Sequence, residues 1–434
     1  MPPVTRRELI GLAVPAAASA LLNNAFRVID QHAAGSIGPT AQAAIGSCTF
    51  VFIAIYGLQV LVASGAGPLL ARATGAQDPK LRREAWANAL TLSVALMAVL
   101  AVLGWFASPS VVGLLGLRDQ TAVDAVDFLQ MIFLGSLPGA LLPLCDAAFV
   151  ALGRPRRMML LQGLAAGLNA ALNPIFIHQL GLGVVGAALA TSLGKALAVA
   201  IGLYTLSSIM GLTRADFRSQ PALMWRMLRV GLPASAGVVA YALVYWALLG
   251  AVISPLGLNA ALGIGFSALE GVSYPLFLGI SMGVSSVVGR RLGAGEPDEA
   301  ARAGRLGTPM ALGLGLLVGW IFYFGATPLC ATFTDDPLVL AQAVLYAQIL
   351  AFSQVFVALE AVWEGVLAGA GDHRTITLLS VPLNVLRVPL AYGLAFTLGF
   401  GALGVWWAIN LTSMMKAGFK GAAVWRGAWA RFEV

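Results

Sequence analysis

The sequence predicts an all-α membrane protein with twelve transmembrane helices. They would form two parallel six-helix bundles, or lobes, related by a pseudo-two-fold axis along the membrane normal. Three observations predict this. The 434 residues are 59% hydrophobic and only 10% charged, with a mean hydropathy of +0.86, whereas a soluble domain carries roughly 25% charged residues. Apolar stretches of about 20 residues or more, enough to cross a bilayer as a helix, recur along the whole chain. Finally, motifs of the first half return in the second. A β-barrel would instead show alternating segments of about 10 residues, and the sequence contains none.

The first apolar stretch, near 9–34, follows Arg6 and Arg7. Two arginines, an apolar run and small residues also compose a secretory or twin-arginine signal. Here the run continues past any cleavage site, and a similar RMLRVGLPASA recurs at 226–236, so the stretch reads as a membrane span, with Pro15 as its kink. Stretches near 46–71, 86–108, 126–151, 158–178 and 184–210 complete the N-terminal lobe, residues 1–215. Those near 229–254, 259–289, 306–326, 338–368, 376–398 and 402–424 make the C-terminal lobe, residues 216–434. The 50 glycines suit helices that approach closely in lipid. Cys48, Cys145 and Cys330 show no metal or redox spacing and read as small apolar residues.

The net charge of +7 does not mark a nucleic-acid binder. Twenty-two of the 26 Lys and Arg fall at the termini and in alternate loops, among them Arg72, Lys80, Arg82, Arg83, Arg154, Arg156, Arg157, Arg290, Arg291 and, at the C-terminus, Lys416 and Lys420. The opposite loops hold Arg118 alone, and Arg27, Lys195 and Arg387 lie inside spans. This asymmetry places both termini in the cytoplasm. The repeat agrees with it. ARATGAQDPKLRREA (71–85) aligns with GRRLGAGEPDEAARA (289–303) at a shift of 218, and NAALNP (169–174) with NVLRVP (384–389) at a shift of 215. Six spans separate the copies, so orientation is preserved.

Polar residues within spans are expensive and need a reason. The acids are Asp30, Asp146, Glu270, Glu360 and Glu364, and three bases lie within spans, Arg27, Lys195 and Arg387. Asp30 has Arg27 three residues before it on one helical face, which suits an ion pair. Asn169 and Asn173 share a face beside Pro174, where they could satisfy carbonyls freed by the proline. Thr191 lies beside the seam Gly186, Ala190, Gly194. Asp146 and Lys195 form a mutual salt bridge, or one of them meets a ligand. Glu360 and Glu364 share a face of the tenth span, and Arg387 is the expected internal partner of the C-terminal acids. Enzyme signatures are lacking: His32, His178 and His373 are scattered, and no phosphate-binding loop or nucleophile elbow occurs.

The ordered motifs VIDQHAAGSIG, ATGAQDPKLRREA, ALGRPRRMMLLQGLAAGLNAALNPIFI, SALEGVSYPLFLGISMGVSSVVGRRLGAGEPDEA, GVLAGAGDHRTITLL and LGVWWAIN together resemble the multidrug and toxic compound extrusion (MATE) family over essentially the whole chain. The resemblance implies secondary antiport, in which an H⁺ or Na⁺ gradient drives export of amphipathic, often cationic compounds by rocking of the two lobes. It implies an ion-coupling cluster at Asp30, Asn169, Asn173 and Thr191, with Na⁺ as a candidate ion there. It places Asp146 and Lys195 along the substrate cavity, to which Glu270, Glu360 and Glu364 are added as candidates. The chain departs from the family at Arg27, where an apolar residue is commoner, and at Asn173, an aspartate in some members. One branch of the family places an acid in the seventh span, and this chain has none there. Further expectations are a monomer in the plasma (inner) membrane, no catalysis, no cofactor beyond the coupling ion, and no partner beyond substrate and bilayer. A flippase for lipid-linked saccharides is the alternative; it would want a strongly basic cavity, and three span bases against five acids disfavour it.

Overall fold

Proline and aspartate mark where the helices begin, and left-handed glycines where several end. The computed structural model describes residues 2–432, without the side chains of 27, 28, 31, 34, 39, 42, 267 and 268. The expected pairing of Arg27 with Asp30 therefore lies outside the described residues. All regular elements among the described residues are helical. They are α1 (Arg6–Ile37), α2 (Pro39–Ser47), α3 (Thr49–Gln59), α4 (Leu61–Gly75), α5 (Pro79–Leu114), α6 (Asp119–Leu134), α7 (Ser136–Ala151), α8 (Pro155–Pro174) and α9 (Gly183–Met210). The second half comprises α10 (Pro221–Leu248), α11 (Asn259–Ile264), α12 (Gly271–Gly293), α13 (Pro297–Phe324), α14 (Ala326–Ala331), α15 (Pro337–Ala351), α16 (Gln354–Ala370), α17 (His373–Tyr392) and α18 (Gly401–Arg426). Asp78 caps α5 by accepting from the Leu81 amide at 2.9 Å, and Asp372 caps α17 by accepting from Thr375 at 3.0 Å. In the first case proline follows the cap, where its missing N–H costs nothing.

Nine helices are long and apolar enough to cross a membrane, and two bent pairs raise the number to eleven among the described residues. The pairs are α6 with α7, bent by 50°, and α15 with α16, bent by 55°. Both lie where the sequence predicts one span. The last predicted span, 402–424, falls within the continuous helix α18, which is less apolar because it carries Asn410, Lys416 and Lys420. The predicted span 259–289 is not one regular helix: a π-helical turn, Gly265–Glu270, joins α11 to α12.

Contacts divide the chain into two compact units, one of Leu22–Val239 and one of the residues up to Leu21 together with those from Ala240 on. This cut differs from a division by chain order at residue 215, because packing assigns the two ends of α1, and of α10, to different units. In the C-terminal unit, α16 lies against α12 through Gly365 and Gly369. A Cβ at these positions would stand 2.4 Å and 2.5 Å from the Ser281 and Ser285 carbonyl oxygens. Lipid removes the hydrophobic drive between helices, so such close backbone approach is what holds the pair. Around it sit the buried rings of Phe277, Tyr346 and Trp406, the last two edge-to-face at 4.8 Å. In the N-terminal unit, α8 lies against α9 at the predicted small-residue seam. A Cβ on Gly194 would come 2.9 Å from the Ala165 carbonyl oxygen.

Backbone features repeat at the shift of 218 read from the loops. Left-handed residues pair as Gln77 with Gly295, Gly153 with Gly371, Gly181 with Gly399, and Gly183 with Gly401. The π-helical turns Ile175–Gln179 and Gly393–Thr397 pair in the same way. The shift of 215 expected around Asn169 is therefore not the structural register, which sets Asn169 against Arg387 and leaves Asn384 one turn earlier.

Candidate functional site

In the N-terminal unit the end of α1, the last two turns of α8 and the first turns of α9 bring Asp30, Asn169, Asn173 and Thr191 together. The Thr191 hydroxyl lies 3.0 Å and 3.1 Å from the two Asp30 carboxylate oxygens and so donates to the pair of them. The Asn169 amide nitrogen donates to Asp30 Oδ1 at 3.1 Å and to Thr191 Oγ1 at 2.8 Å. Asn173 Nδ2 reaches Asn169 Oδ1 at 3.5 Å, while its own Oδ1 is buried without a partner. Asn169 is fully buried, and the contact of α8 with α9 at Gly194 fixes its distance to Thr191. All four predicted cluster residues thus meet at one carboxyl group.

Lys195 belongs with this cluster. Its ammonium lies 5.2 Å from the centroid of the Phe26 ring, a cation–π distance, and its charge acts on Asp30. Among the described residues Lys195 and Asp146 form no salt bridge, the first of the two alternatives the sequence leaves open. Asp146 instead accepts from Gln162 Nε2 at 2.6 Å, because Gln162 on α8 faces α7 and Lys195 is directed to Phe26 and Asp30.

The C-terminal unit holds a second polar group. The Arg387 charge acts on Glu270, one of the acids it was expected to serve, while its guanidinium donates to Tyr245 Oη at 2.8 Å, Thr412 Oγ1 at 3.0 Å and Ser413 Oγ at 3.4 Å; Glu360 and Glu364 take other partners. Glu360 takes Lys420 at 2.8 Å and Lys416 at 3.3 Å, and Glu364 takes Lys420 at 2.5 Å. Glu270, closing the π-helical turn, accepts from the Tyr346 hydroxyl. Lys416 and Lys420 therefore serve inside the helix packing rather than as topology residues, and twenty of the 26 basic residues remain to carry that signal. Added to the three span bases named from the sequence, Arg27, Lys195 and Arg387, they make five against the five acids. The spacing offered a clue to this: Glu360 and Glu364 are four apart, as are Lys416 and Lys420. Tyr241, Tyr245, Tyr346 and Gln162 left no comparable sign.

Two further clusters lie outside the spans. In the linker after α9, Asp216 accepts from the Thr213 amide at 2.7 Å, the Thr213 hydroxyl at 2.8 Å and Arg83 Nε at 3.4 Å. The Thr213 donors first, then the Arg83 charge, hold its carboxyl below the ordinary 3.8 of an aspartate. Asn88 fastens the same linker by accepting from the Gln220 amide at 2.9 Å. At the start of the chain, the Val4 amide donates to Glu299 at 2.6 Å, Arg291 bonds the Pro2 carbonyl, and Arg290 pairs with Glu8 at 3.5 Å.

The Asp30 cluster can hold a proton or a small cation. Its oxygens are those of Asp30, Asn169, Asn173 and Thr191, but the donors of Asn169 and Thr191 are already turned onto the carboxylate. That arrangement suits a carboxyl that exchanges a proton. A Na⁺ shell would need the same lone pairs freed.

The family described as MatE matches twice, over residues 15–175 and 234–393. The chain is 26% identical over 452 residues to the probable multidrug resistance protein NorM of Thermotoga maritima, covering 100% of this chain and 95% of that protein. It is 28% identical over 432 residues to the probable NorM of Pseudomonas aeruginosa, covering 94% and 86%. The multidrug resistance protein MdtK of Pectobacterium atrosepticum is 28% identical over 414 residues, covering 90% and 88%. Among solved structures, the outward-facing conformation of a multidrug resistance MATE family transporter superposes with a TM-score of 0.90 at 22% identity, covering 98% of this chain and 97% of that one. A MATE in complex with MaL6 gives 0.88 at 23% identity over the same shares. These likenesses agree with a multi-pass helical membrane fold, and the two family matches span most of the sequence: the chain belongs to the MatE family.

Proposed function

We propose that this protein is a proton-coupled antiporter that exports amphipathic organic compounds across the plasma (inner) membrane by rocking-bundle alternating access. Multidrug efflux is supported by family membership and by the names of the full-length relatives. The relatives also disfavour the flippase for lipid-linked saccharides. The charge argument against that flippase no longer separates the two readings, since the bases so counted equal the acids in number. A preference for cationic substrates rests on the resemblance and not on net interior charge. The halves 1–215 and 216–434 are the repeat, both termini are cytoplasmic, and the working form is a monomer.

The observation that carries the coupling is the Asp30 carboxyl, bonded to donors from α8 and α9 while itself on α1. A buried carboxylate is disfavoured by lost solvation and favoured by these hydrogen bonds. Its charge state therefore depends on whether α1 is seated against α8 and α9, and a proton taken up from outside releases α1 from them. A ligand shifts such an equilibrium only by its differential affinity for the two states. Asp146, Lys195, Glu270, Glu360 and Glu364 remain candidate cavity residues in this reading, those engaged in ion pairs having to open before they meet a substrate.

The test is export from proteoliposomes with proton and Na⁺ gradients imposed separately. The wild-type protein should respond to the proton gradient alone. Asp30→Asn, isosteric but unable to exchange a proton, should fold and bind substrate yet lose the gradient response. Wild-type export by Asp30→Asn with unchanged gradient dependence overturns the assignment.

A further inference from the structure

Asp146 and Gln162 make a contact that is incomplete as written. Gln162 Nε2 donates to Asp146 Oδ2 at 2.6 Å. The remaining oxygen of each group, Asp146 Oδ1 and Gln162 Oε1, is buried and accepts from no donor among the described residues. Asp146 is 9% exposed and Gln162 4%. Neither residue is at a surface where bulk water would complete the pair.

The two orphaned acceptors belong to the same two bonded partners, one on each. A single proton on Asp146 Oδ1 satisfies both, because the carboxylic O–H then donates to Gln162 Oε1 while Nε2–H donates to Oδ2. The result is the closed ring of a carboxylic acid and a carboxamide. Turning the amide over does not remove the requirement. Oε1 would then face Oδ2 at the same short distance, and two oxygens so placed need a proton between them.

We propose that Asp146 is a proton-binding site in its own right, carried as a carboxylic acid closed in a ring with Gln162 and separate from the Asp30 cluster. The charged groups around it agree. The titratable side chains whose ionisation its charge affects are Tyr56 on α3 and Cys145 on α7 itself, both neutral in their ordinary forms. Of the cations on neighbouring helices, Lys195 of α9 is directed to Phe26 and Asp30, and Arg83 of α5 to Asp216. Among the described residues no cation forms an ion pair with Asp146. An ionised Asp146 would be a buried charge with one neutral donor, and breaking or omitting the partner of such a charge is strongly unfavourable. The ring also ties α7, the second arm of a bent span, to α8. Loss of the proton sets two acceptors against each other there and opens the tie.

The experiment is infrared spectroscopy of the whole protein in lipid, titrated from acid to alkali, with proton release measured in parallel. The wild-type protein should show a protonated-carboxyl band that Asp30→Asn retains and Asp146→Asn abolishes. Asp146→Asn should fold, since its amide reproduces the closed ring, and should release one proton fewer per chain over the titration. If that variant does not accumulate, Gln162→Leu carries the test, because removing the ring partner must shift the band. A wild-type spectrum lacking a band that depends on Asp146 or Gln162 means an ionised Asp146 whose orphan oxygens meet a water or a cation, and overturns the proposal. This outcome is independent of Asp30, whose role is read from transport.

Discussion

Lys420→Met isolates the buried charges between α16 and α18. Lys420 is 1% exposed, and its ammonium lies 2.8 Å from Glu360 and 2.5 Å from Glu364. Glu360 is 10% exposed and Glu364 is 39%, so the two contacts are unequal despite their similar lengths. Removing one partner of a buried ion pair costs about 3–5 kcal/mol, because the other charge is left uncompensated. Here Lys416 stays 3.3 Å from Glu360 and compensates part of it, which places the expected loss near the lower end, about 3 kcal/mol. Glu364→Gln removes a contact that solvent already screens and should cost less than about 1 kcal/mol. The triple variant Lys420→Met, Lys416→Met and Glu360→Leu replaces both lysines and their shared acid by apolar groups and should recover much of the loss. Unfolding free energies in mixed detergent micelles measure all three. Equal losses for Lys420→Met and Glu364→Gln would refute the claim that the buried member of the pair dominates.

Two other expectations follow from single contacts. Gly365→Ala forces a Cβ to 2.4 Å from the Ser281 carbonyl oxygen, so α12 and α16 must part at a cost of about 1–3 kcal/mol, and thermal denaturation in detergent should show it; no shift in Tm would mean that the helices do not meet there. The depressed Asp216 carboxyl contributes stability that is present at and above the ordinary 3.8 and is lost as the pH falls through its folded value. Limited proteolysis of the linker at residues 211–220 should therefore quicken below that pH, and Asp216→Asn should make cleavage fast at neutral pH and insensitive to acid.

The helical membrane architecture was legible because bilayer thickness sets the length of every span and few other folds produce such runs. The Asp30 cluster was legible for a different reason. Spacing brought Asn169 and Asn173 onto one face, but their meeting with Asp30 and Thr191 was expected from the resemblance and not from any pattern within the chain. The C-terminal group was misread because long lysine side chains at the end of an apolar helix look like interfacial anchors. Lys416 and Lys420 can be told from anchors only by knowing that α16 presents two acids at the same height. Gln162 is illegible for a related reason: a lone amide in an apolar helix has no signature, and its importance comes from its bond to Asp146 and from the orphaned oxygen on each of the two. The bends within α6–α7 and α15–α16 were missed because hydropathy records composition along the span and not the helix direction.

The shift of 218 joins these observations into one argument. It was read from two loops, it recurs in four pairs of left-handed residues and two π-helical turns, and it separates the unit limits at Leu22 and Ala240. In this register α1, α8 and α9 correspond to α10, α17 and α18. The first three supply Asp30, Asn169 and Thr191; the second three supply Tyr245, Arg387 and Thr412. Asn169 and Arg387 occupy equivalent positions, and each helix trio encloses one buried charge bonded to a hydroxyl of its last member. The charges have opposite sign. A carboxylate in such a place can give up its charge to a proton, whereas a guanidinium keeps its own at any pH a cell reaches. The two copies of the repeat thus carry opposite charges in the same set of helices, and the proton coupling proposed for Asp30 has no counterpart in the second copy, where a guanidinium stands in place of Asn169.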